Sequence, residues 1–394
     1  MLYRQLGNTG LSVSALGFGA MRLPMEGEIK SAHERFDPSR KIDSKASTRM
    51  IEYAVANGIN YFDTAYVYQG GQSEAVTGRA LKPYRDKVFI ATKLPAMMIQ
   101  KPEDFERCLN EQLERLDTEY LDVYLAHAMN RLLWDRMKEV GLREFFDRVR
   151  SDGRVRHVGF SFHDDVRAFK EIVDGYGWEI AQIQYNYFDE HYQAGREGLT
   201  YAAEKGLGIV IMEPIRGGKL ADPVPEKVKA IWNTAEVKRT PAEWALRWVW
   251  NHPEVSVVLS GMSNMAQLVE NTASAQGAKA GSLTPRELGM IEQVNDCYRS
   301  LMQVDCTSCG YCMPCPTGVN IPACFSFYND FHIFEEDRGT SIMIYNLMLG
   351  EDEKACACIE CGECEEKCPQ HIEIRKNLKR AHEALHKEGI KPPR

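Results

Sequence analysis

Two short stretches hold most of the thiol chemistry in this chain. "CTSCGYCMPCP" places Cys306, Cys309, Cys312 and Cys315 at x2, x2, x2 spacing and closes on proline, and "CIECGECEEKCP" places Cys358, Cys361, Cys364 and Cys368 at x2, x2, x3 spacing before another proline. Of 12 cysteines, only Cys108 lies in the first 296 residues. Thiols crowded at fixed short spacing serve as metal ligands or redox groups more often than as disulfide frameworks when a chain works in a reducing compartment. Zinc competes for any C-x2-C pair, but overlapping triples that end in Cys-Pro fit it poorly. A second group of residues is scattered through the first third of the chain: Asp63 and Tyr68 in "FDTAYVY", Lys93 in "FIATK" and His127 in "LAH". Reducing a carbonyl by hydride requires a proton for the developing alkoxide, and a tyrosine with an ordinary pKa of ~10 becomes a better acid beside a fixed ammonium. Lys93 would supply that charge, Asp63 would hold it by a charge-assisted hydrogen bond, and His127 would orient the carbonyl oxygen.

The second cysteine stretch has the spacing of the bacterial ferredoxin run, in which three close thiolates hold one cubane and the fourth, before proline, reaches across to the other. Two such runs imply two [4Fe–4S] clusters, one on Cys306, Cys309, Cys312 and Cys368 and the other on Cys358, Cys361, Cys364 and Cys315. Cys324 and Cys356 are read as small packing residues. The segments that link and follow the motifs, "IPACFSFYNDFHIFEEDRGTSIMIYNLMLGEDEKA" and "IEIRKNLKRAHEALHKEG", carry helical spacing. Residues 301–394 therefore resemble an α-helical ferredoxin-like domain rather than the short β-rich bacterial form.

The elements that must position the first group come from the preceding 300 residues. Short apolar runs, "VSALGFGA", "NYFDTA", "VFIATK", "LDVYLAH", "RHVGFSF", "IAQIQY", "GIVIMEP" and "VSVVLSG", alternate with stretches of i, i+3, i+4 apolar spacing such as "PEDFERCLNEQLERL". Eight such units in roughly 250 residues predict an α/β fold, a (β/α)8 TIM barrel over residues 1–300, with chemistry at the C-terminal strand ends. No GxGxxG opens a helix, which argues against a doubly wound dinucleotide fold. Asp63, Tyr68, Lys93 and His127 then converge on one mouth. The polar segment "MEGEIKSAHERFDPSRKIDSK" reads as a lip beside it.

"GINYFDTAYVYQGGQSE", "FIATKLP" and "LAHAMN" resemble the aldo-keto reductase family, and the chain as a whole resembles its iron–sulfur subgroup. The resemblance implies a catalytic tetrad of Asp63, Tyr68, Lys93 and His127 and a nicotinamide cofactor, NADP or NAD, laid across the mouth. It places Ser161 and Gln182 at the carboxamide, Met212 against the ring, Pro214, Ile215 and Arg216 after it, and Ser263, Gln267, Glu270 and Asn271 around the adenosine end. Phe162 stands where many members have asparagine, Met212 replaces an aromatic residue, and no lysine or arginine follows Ser260 as far as Asn271. The choice between NADP and NAD is therefore left open. Because nicotinamide gives electrons in pairs and a cluster takes one, a link between the two requires a converter, and a flavin at the mouth is one such expectation.

Composition sets the surroundings. The formal charge is −8 over 394 residues, which gives no net attraction to nucleic acid or anionic membrane. The first residues lack the pattern of a secretory signal and no long uncharged apolar run occurs, so the expectation is a cytoplasmic oxidoreductase acting on a small carbonyl or alcohol, with a redox protein as a candidate partner. Two alternatives stand beside it: a nucleotide-binding redox sensor or electron-transfer module, and a plain reductase whose clusters are structural. Trp134, Trp178 and Tyr187 are read as packing residues.

Overall fold

The computed structural model describes residues 1–27, 40–306, 308 and 310–387. The lip expected around residues 25–45 falls mostly outside the described residues, as do Cys309 and the glycine that ends "HKEG". The chain divides into two compact units: Met1–Gly217 with Ala242–Thr284, and Gly218–Pro241 with the described residues from Pro285 onward. This division differs from a single cut at residue 300. The helix Glu226–Trp232 packs on the helix Pro285–Ser300, so both belong to the C-terminal unit.

In the first unit a hairpin, β1 (Tyr3–Gln5) and β2 (Ser12–Ser14), precedes eight strands. These are β3 (Leu16–Gly19), β4 (Tyr61–Asp63), β5 (Phe89–Leu94), β6 (Leu121–Met129), β7 (Val155–Phe162), β8 (Ile180–Gln184), β9 (Gly208–Met212) and β10 (Val255–Ser260). All neighbours pair in parallel, and β10 returns to β3 to close the barrel. The apolar runs read from the sequence are buried on both faces, as parallel strands covered by helices require. Tyr61, Ala91, Val123, Leu125, Ile180, Val210 and Val257 fill the interior, with Leu6 and Val13 from the hairpin segment. The hairpin turn fits tightly against the start of β9: Gly7, at φ +52°, would place a Cβ 2.2 Å from the backbone nitrogen of Gly208. No side chain can occupy that position without moving the turn. Helices between strands begin on side-chain caps from Asp43, Asn130, Asp165 and Asn264.

Arg4 locks the same end by donating to four carbonyls, those of His252 (3.1 Å), Val255 (2.6 Å), Trp250 (2.5 Å) and Ala278 (2.7 Å). Arg4→Ala leaves all four without this partner, and the expected cost is about 2–3 kcal/mol, a typical value for hydrogen bonds to a charged group. Urea unfolding followed by tryptophan fluorescence measures it, and a loss within experimental error of zero would show that water replaces the guanidinium.

The C-terminal unit is helical, as its spacing predicts. Its helices include Ile321–Ile333, Arg338–Met348 and Ile374–Leu385, packed around Val319, Cys324, Phe325, Tyr345, Leu349, Leu378, Ala381 and Leu385. Asn329 fixes the approach to the first cysteine stretch: its Oδ1 accepts from the nitrogens of Gln303 (2.9 Å) and Val304 (3.0 Å), and its Nδ2 donates to the Val304 carbonyl (2.8 Å). Lys219 and Asp330 form a nearly buried ion pair at 2.5 Å. Among the described residues no helix is long and apolar enough to cross a membrane.

Candidate functional site

The closed barrel brings the C-terminal ends of β4, β5 and β6 side by side, and with them three of the four residues predicted for proton chemistry. Asp63 is the last residue of β4, Lys93 lies next to the end of β5, and His127 lies near the end of β6. Tyr68 follows β4 in a 3-10 turn. Lys93 is fully buried, which excludes a surface ion pair. Its ammonium donates to Asp63 Oδ1 at 2.6 Å, to the Thr64 carbonyl at 2.7 Å and to the Tyr68 hydroxyl at 3.2 Å. The Tyr68 and His127 rings meet edge to face with centroids 6.0 Å apart.

The electrostatics follow from burial. Burial alone would lower the Lys93 pKa, but Asp63 and Tyr68 raise it above its ordinary value, so the side chain stays an ammonium. For Tyr68 the balance goes against the sequence expectation: burial raises the phenol by more than Lys93 lowers it, with Asp63 and Glu213 adding to the rise, and the net shift is upward. Tyr68 is thus a phenol that keeps its proton, not an unusually strong acid. Burial, Lys93 and His163 bring His127 down to about 3, so its imidazole is neutral.

A buried network that the sequence reading missed supports Lys93 from below. Gln112 Nε2 donates to the Lys93 carbonyl (3.1 Å) and to Glu74 Oε1 (2.6 Å), and Tyr124 donates to Gln112 Oε1 (2.7 Å). Glu74 also accepts from Thr92 (2.6 Å) and pairs with Arg115 (3.3 Å). The signal was a glutamate on the buried face of the helix Gln72–Leu81.

The residues predicted for a dinucleotide lie on β7, β8 and β9 and in the segments that follow β9 and β10. Ser161 and Gln182 are paired neighbours on β7 and β8. Ser161 Oγ accepts from the Ala128 nitrogen (2.8 Å), and Gln182 Nε2 reaches Met212 Sδ at 3.8 Å. Gln182 Oε1 is a buried acceptor with no hydrogen-bond partner. Such an orphan suits an amide N–H from outside the chain. Pro214 is buried and Ile215 partly so. Arg216 is not a solvated loop residue: Nε meets Asp189 Oδ2 at 3.1 Å and the guanidinium lies 4.7 Å from the Phe188 ring centre. Gln267 Oε1 accepts from the Ser263 nitrogen (2.8 Å) at the start of the helix Met265–Ser274. Asn271 is buried and donates to Ser260 Oγ (2.9 Å), while Glu270 is half-buried. Arg22 packs against the segment after Ser260, since a Cβ on Gly261 would lie 3.0 Å from Arg22 Cδ. Trp134, Trp178 and Tyr187 are buried, as expected of packing residues.

In the C-terminal unit the cysteines line two hollows. One is bordered by Cys315, Cys358, Cys361 and Cys364, the other by Cys306 and Cys368, and Cys312 borders both. Among the described residues no three ligating side chains close to metal-holding geometry, and Cys309 lies outside those residues. Thiols nevertheless dominate the donor set, five around the first hollow with Cys312 included, and Cys315 and Cys368 each sit with the opposite motif as a crossed ligation requires. Burial raises the Cys315 pKa, but the Thr317 hydroxyl and the nitrogens of Thr317, Val319 and Gly318 bring it below the ordinary thiol value. A thiolate is the ligating form.

A (β/α)8 barrel with a lysine, a carboxylate, a phenol and an imidazole at one mouth, followed by an all-thiol helical unit, defines an oxidoreductase-type enzyme with an iron–sulfur domain. The profile of the aldo/keto reductase family matches residues 15–296, and that of the 4Fe-4S dicluster domain matches residues 305–373. The chain belongs to the aldo/keto reductase family. It is 30% identical to "Probable aldo-keto reductase 1" of Glycine max, over 73% of this chain and 87% of that one. It is 28% identical to a "Putative voltage-gated potassium channel subunit beta" of Schizosaccharomyces pombe, over 74% and 92%. Among solved structures, the holo form of the aldo-keto reductase AKR11C1 from Bacillus halodurans is similar at TM-score 0.61 and 26% identity, covering 75% of this chain and 96% of that one. Nothing in the site or the relatives adds support for the flavin expected as a converter.

Proposed function

We propose that the barrel mouth interconverts a small carbonyl compound and its alcohol with NADP or NAD, and that the C-terminal unit carries two [4Fe–4S] clusters that exchange electrons with a redox partner. The observation that supports the first part most strongly is the buried Lys93 ammonium, 2.6 Å from Asp63 and 3.2 Å from the Tyr68 hydroxyl. When bound, the dinucleotide supplies a hydride and the clusters supply single-electron storage. Tyr68 gives its proton to the carbonyl oxygen, and Lys93 stabilises the phenolate left behind. Asp63 fixes Lys93. Neutral His127 donates a hydrogen bond that orients the carbonyl.

Gln182 Oε1 and Ser161 would hold the carboxamide, with Met212 against the ring. Pro214, Ile215 and Arg216 would follow the pyrophosphate, and Ser263, Gln267, Glu270 and Asn271 the adenosine. The contact of Arg216 Nε with Asp189 Oδ2 at 3.1 Å would hold the guanidinium for this role. The test is titration of the anaerobic protein with NADPH and with NADH, followed by nicotinamide fluorescence. Saturable binding of either, weakened by Gln182→Leu, is the expected result, and no binding of both would remove the dinucleotide.

The working pH range follows from the same residues. Carbonyl reduction needs the protonated phenol, which is lost only as pH rises through a value above the ordinary 10.0. His127, at about 3, adds no transition near neutrality. The rate of reduction should therefore be flat from about pH 6 to 9, and a limb near the ordinary histidine pKa of ~6.5 would contradict this account of His127. A second reading, a redox sensor that binds nucleotide, draws on the relative named as a channel subunit. Turnover of a carbonyl at a useful rate would set it aside.

A further inference from the structure

The two cysteine-lined hollows have different surroundings. The hollow of Cys315, Cys358, Cys361 and Cys364 is also lined by Lys367, Arg375 and Glu363. The hollow of Cys306 and Cys368 is lined by Ile321, Pro322, Phe325, Ile372 and Ile374, with no charged side chain among its described residues. Arg375 is held firmly: Nε and a terminal nitrogen meet Glu365 Oε2 at 3.0 and 2.7 Å, and its backbone nitrogen donates to Glu365 Oε1 at 2.9 Å. Arg375 lines the hollow and Glu365 is not among its lining residues. Gly362, at φ +86°, turns the motif so that a Cβ there would lie 3.7 Å from the guanidinium carbon. Glu363 offsets Lys367, the two meeting at 3.8 Å.

Exposure points the same way. Cys315 Sγ lies 3.5 Å from the Thr317 hydroxyl oxygen. In the other hollow, the Ser308 nitrogen meets Cys306 Sγ at 3.4 Å. Cys361 is exposed and Ile359 beside it is 66% exposed, whereas Cys368 is buried. Reducing a cluster adds one negative charge to it, and fixed cations, N–H donors and water all favour that charge.

We infer that the centre held by Cys315, Cys358, Cys361 and Cys364 has the higher reduction potential of the two, with Arg375 as a residue that sets it. Electrons entering either centre then collect at the solvent-facing one. The inference rests on the two-cluster reading, and iron content separates the two claims.

The experiment is an anaerobic redox titration of the reconstituted full-length protein, with dithionite as the one-electron source, read by electron paramagnetic resonance and absorbance. Wild-type protein should bind about eight irons and show two one-electron steps. Cys361→Ala should remove the higher step. Arg375→Gln should lower the higher step while leaving the other in place, by about a tenfold change in the reduced-to-oxidised ratio, ~59 mV for one electron. Arg375→Lys should restore part of that shift. If Arg375→Gln loses iron, Lys367→Gln reads the same effect without breaking the contact with Glu365. Loss of the lower step in Cys361→Ala, or an unmoved higher step in variants that keep all their iron, would overturn the inference. About four irons in wild-type protein would overturn the two-cluster reading and this inference with it.

Discussion

Tyr68→Phe should lower carbonyl reduction by about a hundredfold or more, the usual scale for losing a positioned general acid. The substitution removes one oxygen from a residue whose hydroxyl receives the Lys93 ammonium at 3.2 Å, and it leaves the ring that meets His127 in place. Dinucleotide affinity should change little, because the residues proposed to hold it come from β7, β8 and β9 and the segments after β9 and β10. Steady-state kinetics with a model aldehyde such as 4-nitrobenzaldehyde, paired with a binding titration, distinguishes the two effects. A fall in affinity that accounts for the lost rate would make Tyr68 a packing residue. Near-wild-type turnover would remove it from the chemistry.

Cys361→Ala should cost one cluster and leave the barrel folded, so that iron falls from about eight to about four per chain. Each unit has its own apolar core, the barrel around Tyr61, Leu125 and Val257 and the helical unit around Phe325, Tyr345 and Leu378. Losing a cluster therefore need not unfold the barrel. Iron and sulfide analysis with circular dichroism of the same preparation checks both statements. Retention of all the iron in this variant would exclude Cys361 as a ligand, and loss of all of it would mean that the two sites assemble only together.

The order of the elements could be read from the chain because alternating apolar runs and helical spacing are local signals. The dicluster character of the C-terminal region was legible for the same reason, since cysteine spacing within a motif is written in consecutive residues. What the sequence did not disclose depends on contacts between distant positions. Nothing near residue 226 marks that helix as part of the C-terminal unit; only its packing on Pro285–Ser300 does so. Arg4 looks like a surface residue until the barrel closes and brings carbonyls from residues 250 to 278 around it. Glu74 and Gln112 lie 38 positions apart and form a support for Lys93 only through the fold. The direction of the Tyr68 shift was misjudged for a related reason. A neighbouring lysine can be guessed from motif order, but burial of both groups cannot, and here burial outweighs the cation.

The central claim, that this barrel moves a hydride between a nicotinamide and a carbonyl carbon, is tested most directly by isotope transfer. Anaerobic protein would be incubated with 4-nitrobenzaldehyde and NADPH or NADH deuterated at C4, each face labelled separately, and the alcohol analysed by mass spectrometry. The account predicts deuterium on the carbinol carbon from one face only, with the same label in the much smaller amount of alcohol that Tyr68→Phe forms. Alcohol formed without deuterium from either face would contradict it.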